Sequence, residues 1–463
     1  MNTVWTPRVE KCDKPIYQCI ADALAADIAS GKLNRGDLLP PQRTLARLLG
    51  VDFTTVTRAY KEARQRGLIE ARVGQGTFVR FQRNTAPTPS VDALINMMVN
   101  SPPSLVEADS DGHVRNRLTQ SKVPFDADTF MRYQPPAGTS RHRDAGAVWL
   151  AQRIKDVAAD RLLVCPGTQG ALLVVMTLLA GKDDVICVEA LTYPGFILLA
   201  RHLGIRLIPV EMDEHGATPQ SLANVCEQHR PKAFYCMPTL HNPTALSMPL
   251  KRRQAIASVL RKFQIPLIED DNYWPLFPDA VDAPAPLSTL VPELAFYLTG
   301  LSKSLTPAMR IAYMVTPDRL AAERAAVVLR ATASMASPLN AELATRWIED
   351  GTATAILTTI RREVAERQSL TQHALSGLLQ ATDTCAFHVW LRLPAQWTRA
   401  AFAEQLRASG ISVALSDAFS VGPVPEAVRL SLGGPETRLD LAHCLERIAM
   451  LLKTGSSASS VIV

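Results

Sequence analysis

Leu301-Ser302-Lys303-Ser304, followed by Pro307-Ala308-Met309-Arg310, decides how most of this 463-residue chain is read. A lysine amine can condense with an aldehyde, and an arginine offers a planar fork to a phosphate. Seven residues apart, the two suit pyridoxal phosphate held as a Schiff base. Working outward, strand-like runs at Leu162–Val164, Val185–Val188, Leu207–Val210, Phe234–Met237, Leu267–Glu269 and Ala295–Leu298 alternate with helix-like ones. That alternation predicts a mostly parallel sheet covered by helices, with ligands beyond the carboxyl ends of its strands.

Four more stretches fall at such ends. Pro166-Gly167-Thr168-Gln169-Gly170 offers free N–H groups to an anion, or simply starts a helix. Tyr193, in Glu189-Ala190-Leu191-Thr192-Tyr193-Pro194-Gly195, can stack on a planar cofactor or pack within a loop. Asn242, restricted by Pro243, can donate to a phenolate oxygen or shape an ordinary turn. Glu269-Asp270-Asp271 closes a strand. One of these carboxylates can hold a pyridinium nitrogen protonated, and no neighbouring histidine supports a metal instead.

Bulk properties set the frame. Hydrophobic residues make up 47% and charged residues 20%, a globular balance with material for several domains. The longest largely apolar run, Ala171–Ala180, is half the roughly 20 residues of a membrane helix. The polar N-terminus lacks an apolar signal region, so a cytoplasmic protein without membrane contact is expected. Eight scattered cysteines and nine histidines show no ligand spacing, which predicts buried thiols and no metal.

The basic excess lies at one end. Residues 1–83 hold 14 Lys and Arg against 8 Asp and Glu, while the remainder holds 35 against 36. Ile16, Ile20, Leu24 and Ile28 share one helix face, and Gly31 stops that helix. A second helix starts near Pro41 and ends at Gly50. A third starts after Asp52 and ends at Gly67, with Val56, Ala59, Tyr60 and Ala63 inward and Thr54, Thr55, Thr57, Arg58 and Lys61 outward. Two short helices joined by a tight turn, the second rich in hydroxyls and cations, fit a helix-turn-helix in a major groove. A hairpin with Gly74-Gln75-Gly76 at its tip follows.

Leu39-Pro40-Pro41-Gln42-Arg43-Thr44-Leu45-Ala46, the threonine-rich third helix and Gly74-Gln75-Gly76-Thr77-Phe78-Val79 resemble the winged helix of GntR-type regulators. The resemblance implies that Arg43, Thr54, Thr55, Arg58 and Gly76 meet double-stranded operator DNA. The later motifs, from Tyr133-Gln134-Pro135-Pro136-Ala137-Gly138 to Arg429-Leu430-Ser431-Leu432-Gly433, resemble fold type I aminotransferases. Together the two resemble the MocR-type subgroup of GntR regulators.

That likeness implies a multidomain chain. Weak periodicity punctuated by Pro87, Pro89, Pro102 and Pro103 makes 84–125 a linker, and the likeness places an α+β winged helix-turn-helix at 1–83 and an α/β PLP-dependent transferase fold type I domain at 126–454. A smaller C-terminal subdomain completes the latter, and 455–463 form a disordered tail. It also implies roles. Lys303 carries pyridoxal 5'-phosphate and Asp270 pairs with the ring nitrogen. Asn242 and Tyr273 hold the ring hydroxyl oxygen and Tyr193 stacks on the ring. Thr168, Gln169, Ser302 and Arg310 serve the phosphate, and Arg429 grips a substrate carboxylate. Tyr133 reaches the partner's site in a head-to-tail homodimer.

Three positions differ from the family's habit: Gly300 replaces a small hydroxyl residue, Ala308 a glycine, and bulky Trp274 a small residue. They predict cofactor binding with weak or vestigial transamination and an altered substrate size. The expected function is transcription regulation, with an amino compound or the cofactor itself as effector. The alternatives are an active aminotransferase with an appended DNA-binding domain and a degenerate dimerisation scaffold.

Overall fold

The computed structural model describes residues 5–7, 15–29, 32–33, 37–65, 68–72, 76–79, 94–105, 107–109, 112–120, 131–278, 283–379 and 383–454. The helix stops at Gly31 and Gly67, the hairpin tip at Gly74, linker residues 84–93 and 121–125, and the tail 455–463 lie outside them. The chain divides into two units, Met1–Ala93 and Leu94–Val463.

In the first unit, α1 (Ile16–Ala29), α2 (Gln42–Leu49) and α3 (Phe53–Gln65) pack beside a three-stranded antiparallel sheet. Its strands are β1 (Leu38–Leu39), β2 (Ile69–Arg72) and β3 (Gly76–Val79), in the order β1-β3-β2. Pro41 precedes α2, and Gly50 ends it with φ +65°, a left-handed conformation that costs glycine little. Val56, Ala59, Tyr60 and Ala63 face the core as their spacing requires, and the Tyr60 hydroxyl donates to the Pro40 carbonyl at 2.8 Å. Ile20 and Leu24 are buried, but Ile16, in the first turn of α1, is 53% exposed.

The second unit is built on a seven-stranded sheet. Its order is Leu162–Cys165, Ala312–Val315, Ala295–Gly300, Leu267–Asp270, Ala233–Cys236, Val185–Glu189, Arg206–Val210. Neighbours are parallel except at Ala312–Val315, which runs antiparallel to both of its partners. Nearly every side chain of the inner strands is buried, as expected of strands covered on both faces. Free buried thiols stand at Cys165, Cys187, Cys226, Cys236 and Cys444; Cys19 is instead disulfide-bonded. No helix among the described residues is long and apolar enough to cross a membrane.

A second sheet has the order His388–Arg392, Ala427–Ser431, Ile411–Leu415, Ile95–Met97. The last of these corrects the reading of 84–125 as linker. Ile95–Met97 pairs in parallel with Ile411–Val413, and Met97 is fully buried, so the body begins at Leu94. The smaller subdomain is thus closed by a strand that precedes the large sheet in the chain.

Candidate functional site

The carboxyl ends of the large sheet open into a cavity of about 640 Å³. Thr168, Gln169, Tyr193, Asn242, Asp270, Tyr273, Ser302, Lys303, Arg310 and Arg429 all line it. Distant stretches of sequence therefore converge on one space. Tyr133 is not part of it and is 88% exposed.

The carboxylate run is resolved by its partners. Glu269 accepts from the Leu287 and Ser288 amides at 3.0 and 2.6 Å. Asp271 pairs with Arg153 at 2.9 Å. Asp270 alone lines the cavity. It accepts from the Tyr235 hydroxyl at 3.0 Å and from Asn272 Nδ2 at 2.6 Å. Burial pushes its carboxyl up to about 7, partly opposed by the Tyr235 bond.

Burial and the neighbouring Arg429 push the Lys303 amine down to about 8, while Asp270 acts in the opposite sense. Lys303 Nζ donates to the Asn100 carbonyl and sits 6.0 Å from the Tyr273 ring centre. Arg310, with φ +49°, lays its guanidinium over Gly167; a Cβ there would meet Arg310 Nη2 at 2.9 Å. The helix Gly167–Leu179 begins at the same point. Its free amides and the guanidinium together make an anion cradle.

Asn272 ties the floor of the site together. Its Oδ1 accepts from the Gly300 amide at 2.5 Å and from the Thr168 hydroxyl at 2.8 Å. A Cβ on Gly300 would lie 2.3 Å from Thr168 Oγ1. The missing hydroxyl at Gly300 is thus matched by the Thr168 hydroxyl, which fills the same space. Trp274 is corrected more fully. It is 1% exposed, packs against Trp149 at 6.4 Å between ring centres, and is absent from the cavity wall, so it does not set substrate size.

Residues 98–101 form a strap across the cavity that sequence reasoning missed. Arg429 Nη1 donates to Asn242 Oδ1 at 2.7 Å, and Nη2 donates to the Met98 carbonyl. Asn100 Nδ2 donates to the Tyr273 hydroxyl at 2.9 Å and lies 3.1 Å from His388 Nδ1. Burial holds His388 at about 3, hence neutral, and its Nε2 lies 3.0 Å from the His241 carbonyl. The Asn96 side chain accepts from the Met98 and Val99 amides at 2.9 and 3.2 Å, which turns the strap into the cavity. Gly433 and Gly434 press on its ends: a Cβ on either would come within 2.0 Å of the Ser101 or Asn96 carbonyl. Pro102-Pro103 reads as linker punctuation, and the alternation in Ile95-Asn96-Met97 is the one local trace of a strand.

In the first unit Arg43, Thr54, Arg58 and Gly76 are exposed and Thr55 is half-buried. The Thr54 amide and hydroxyl both donate to Asp52 Oδ1, at 2.8 and 2.5 Å, fixing the start of α3. Arg43 lies 5.9 Å from the Phe53 ring centre.

The fold of the second unit, with this site at its strand ends, defines a fold type I PLP-dependent aminotransferase domain. Residues 93–448 match the family described as aminotransferase class I and II, and residues 16–79 match bacterial regulatory proteins of the gntR family. The uncharacterized HTH-type transcriptional regulator YdeF of Bacillus subtilis (strain 168) is 30% identical over 461 residues, 97% of this chain and 96% of that one. The probable rhizopine catabolism regulatory protein MocR of Rhizobium meliloti is 24% identical over 96% of each chain. LysN, the α-aminoadipate aminotransferase of Thermus thermophilus solved with N-(5'-phosphopyridoxyl)-L-leucine, shares the fold with a TM-score of 0.66. Its identity is 21%, over 78% of this chain and 93% of that one. The chain belongs to the class I and II aminotransferase family and carries a gntR-family domain at its N-terminus, the combination of MocR-type transcriptional regulators.

Proposed function

We propose that the regulator binds operator DNA through its winged helix, holds pyridoxal phosphate at Lys303, and responds to an amino compound or to the cofactor itself. One observation carries this reading. Lys303 and Arg429, the groups suited to an aldehyde or amine and to a carboxylate, are each engaged by a backbone carbonyl of the strap. The strap follows within five residues of Ala93, where the first unit ends. A ligand that claims either cation competes with the chain leading back to the DNA-binding unit, which supplies the differential contact that a switch requires.

The residues fit the cofactor. Asp270 is a buried acid that a ring-nitrogen cation would stabilise. Arg310 and the Gly167 helix start would hold the phosphate, Tyr193 the ring face, and Asn242 Nδ2 and Tyr273 the ring oxygen. Gln169 Oε1, Asn100 Oδ1 and Arg429 Nε are buried without hydrogen-bond partners, as befits a site shaped for a polar guest. When bound, the cofactor supplies an electrophilic carbonyl and an electron sink. Lys303 supplies the amine, and Asp270 holds a proton at the ring nitrogen.

The test is a DNA-binding titration of the full chain, loaded with pyridoxal phosphate, on duplexes selected from a random pool. Added amino acid or cofactor is expected to change affinity or the pattern of protected sites. An unchanged affinity and footprint across amines and cofactor would refute sensing. Arg58→Ala is expected to weaken binding by about 1–3 kcal/mol in the same assay.

Cofactor uptake has a predicted pH dependence. An amine whose folded-state pKa is lowered to about 8 is neutral and nucleophilic above that pH and protonated below it. Uptake, followed by stopped-flow absorbance, is expected to be half-maximal near pH 8 and to fall about tenfold per pH unit well below it.

Lys303, Asp270 and Arg429 in one cavity also favour a second reading, turnover with 2-oxo acids; multiple-turnover formation of a new amino acid would establish it. We also propose a head-to-tail homodimer, in which exposed Met131 and Tyr133 meet the partner. Sedimentation as a monomer would refute it.

A further inference from the structure

We infer that the amino compound taken by this cavity carries one carboxylate and an apolar side chain. The inference rests on the reading of the cavity as an amino-compound site and adds the ligand's chemical class.

Among the described residues that line the cavity, the cations are Lys303, Arg310 and Arg429, and the one acid is Asp270. Each is committed. Lys303 is the amine, Arg310 lies at the anion cradle, and Asp270 is held by Tyr235 and Asn272. Arg429 remains for a single carboxylate. It is 5% exposed, its Nε has no partner, and its Nη2 holds only a backbone carbonyl that an anion can replace. Among the described residues of the wall, a second carboxylate on the ligand would meet no further cation, and a second amine no uncommitted acid.

Apart from the polar groups at the floor, one side of the wall is apolar. Met98, Val99 and Leu198 line the cavity and are 45%, 58% and 60% exposed. Phe419 lies under the Arg429 guanidinium, 4.9 Å from its Cζ, and Ala414 and Ala418 stand nearby on the wall. Three large apolar side chains exposed around one opening mark a surface that an apolar group would cover. The carboxylate held by Arg429 therefore sits against Phe419 and the Met98 peptide, and the side chain beyond it meets hydrocarbon.

The experiment titrates the full chain, loaded with pyridoxal phosphate, with L-leucine, L-methionine, L-aspartate, L-glutamate and L-lysine. It reads the visible absorption change and the shift in melting temperature, with DNA binding measured in parallel. Leucine and methionine are expected to bind at least tenfold tighter than the charged amino acids. Leu198→Arg should keep the cofactor band and reverse that preference toward glutamate. Preference for aspartate, glutamate or lysine in the unaltered chain would overturn the inference, as would a Leu198→Arg preference identical to the parent's. Absence of binding by all five, with the cofactor band intact, would overturn it as well. Tight leucine binding without any change at DNA would support the ligand class and refute the sensing role, so the two failures are separable.

Discussion

Lys303→Ala is expected to abolish covalent capture of pyridoxal phosphate. The purified variant should lack the visible absorption band that borohydride reduction removes from the parent. Its affinity for the cofactor should fall by at least about a thousandfold, roughly 4 kcal/mol. The ring and phosphate contacts proposed for Asp270, Tyr193 and Arg310 would survive the change, so residual binding is expected to be reversible and of ordinary ligand strength. The fold should tolerate it. In the cofactor-free protein the Lys303 amine is pushed down to about 8 by burial and Arg429, so the folded state binds its proton less tightly than the unfolded chain does. That difference costs stability below about pH 8 and fades as pH rises from there toward the free-lysine value near 10.4. At pH 7 alanine removes this cost, and the melting temperature should move by only a few degrees. Unaltered borohydride-sensitive absorbance in Lys303→Ala would sink the assignment of the amine.

Gly300→Ser, which restores the residue type common in the family, is expected to be harmful here. Its Cβ would stand 2.3 Å from Thr168 Oγ1 and 2.9 Å from Asn272 Oδ1. Neither neighbour can easily retreat, because Asn272 is bonded to Asp270, to Thr168 and to the Gly300 amide itself. Overpacking of a buried site costs about 1–3 kcal/mol, and disturbing the Asn272 bonds adds to it. We expect a loss of about 2–4 kcal/mol in denaturant unfolding. Thr168→Ala in the same chain frees the space and should recover most of that loss. Gly300→Ser with parental stability would show that the close approach does not constrain the residue.

These two residues also mark what the sequence conveyed. Lys303, Asp270, Asn242 and Arg310 were legible because each stands in a short run whose chemistry is local: a lysine near an arginine, a carboxylate ending a strand, an asparagine before a proline. The six parallel-sheet strand candidates were legible from apolar runs between helical segments. Ala312–Val315 was not: it follows directly on the Arg310 motif, with no α-helix between it and the preceding strand to mark it off. Gly300 read as a defect because its compensation, the Thr168 hydroxyl, is 132 positions away in the chain. Trp274 read as an obstruction because nothing local reveals that its ring turns toward Trp149. Residues 94–103 read as connector because their strand character depends on Ile411–Val413, more than 300 positions later. Contacts made across such separations leave little local trace, and they form much of the wall opposite Lys303.

The two glycines that follow the Arg429 strand give the strap a particular mechanical character. The carbonyl of Ser101 lies where a Cβ on Gly433 would stand, and that of Asn96 where one on Gly434 would, backbone against backbone with no side chain between them. Close packing at both ends clamps the length between and leaves it little room to swing aside like a door. Its freedom is torsional and belongs to the peptide planes between the clamps, those that present the Met98 and Asn100 carbonyls. A guest of the kind proposed, taking Arg429 or Lys303, would turn those planes where they stand, much as a key turns a tumbler without moving the lock.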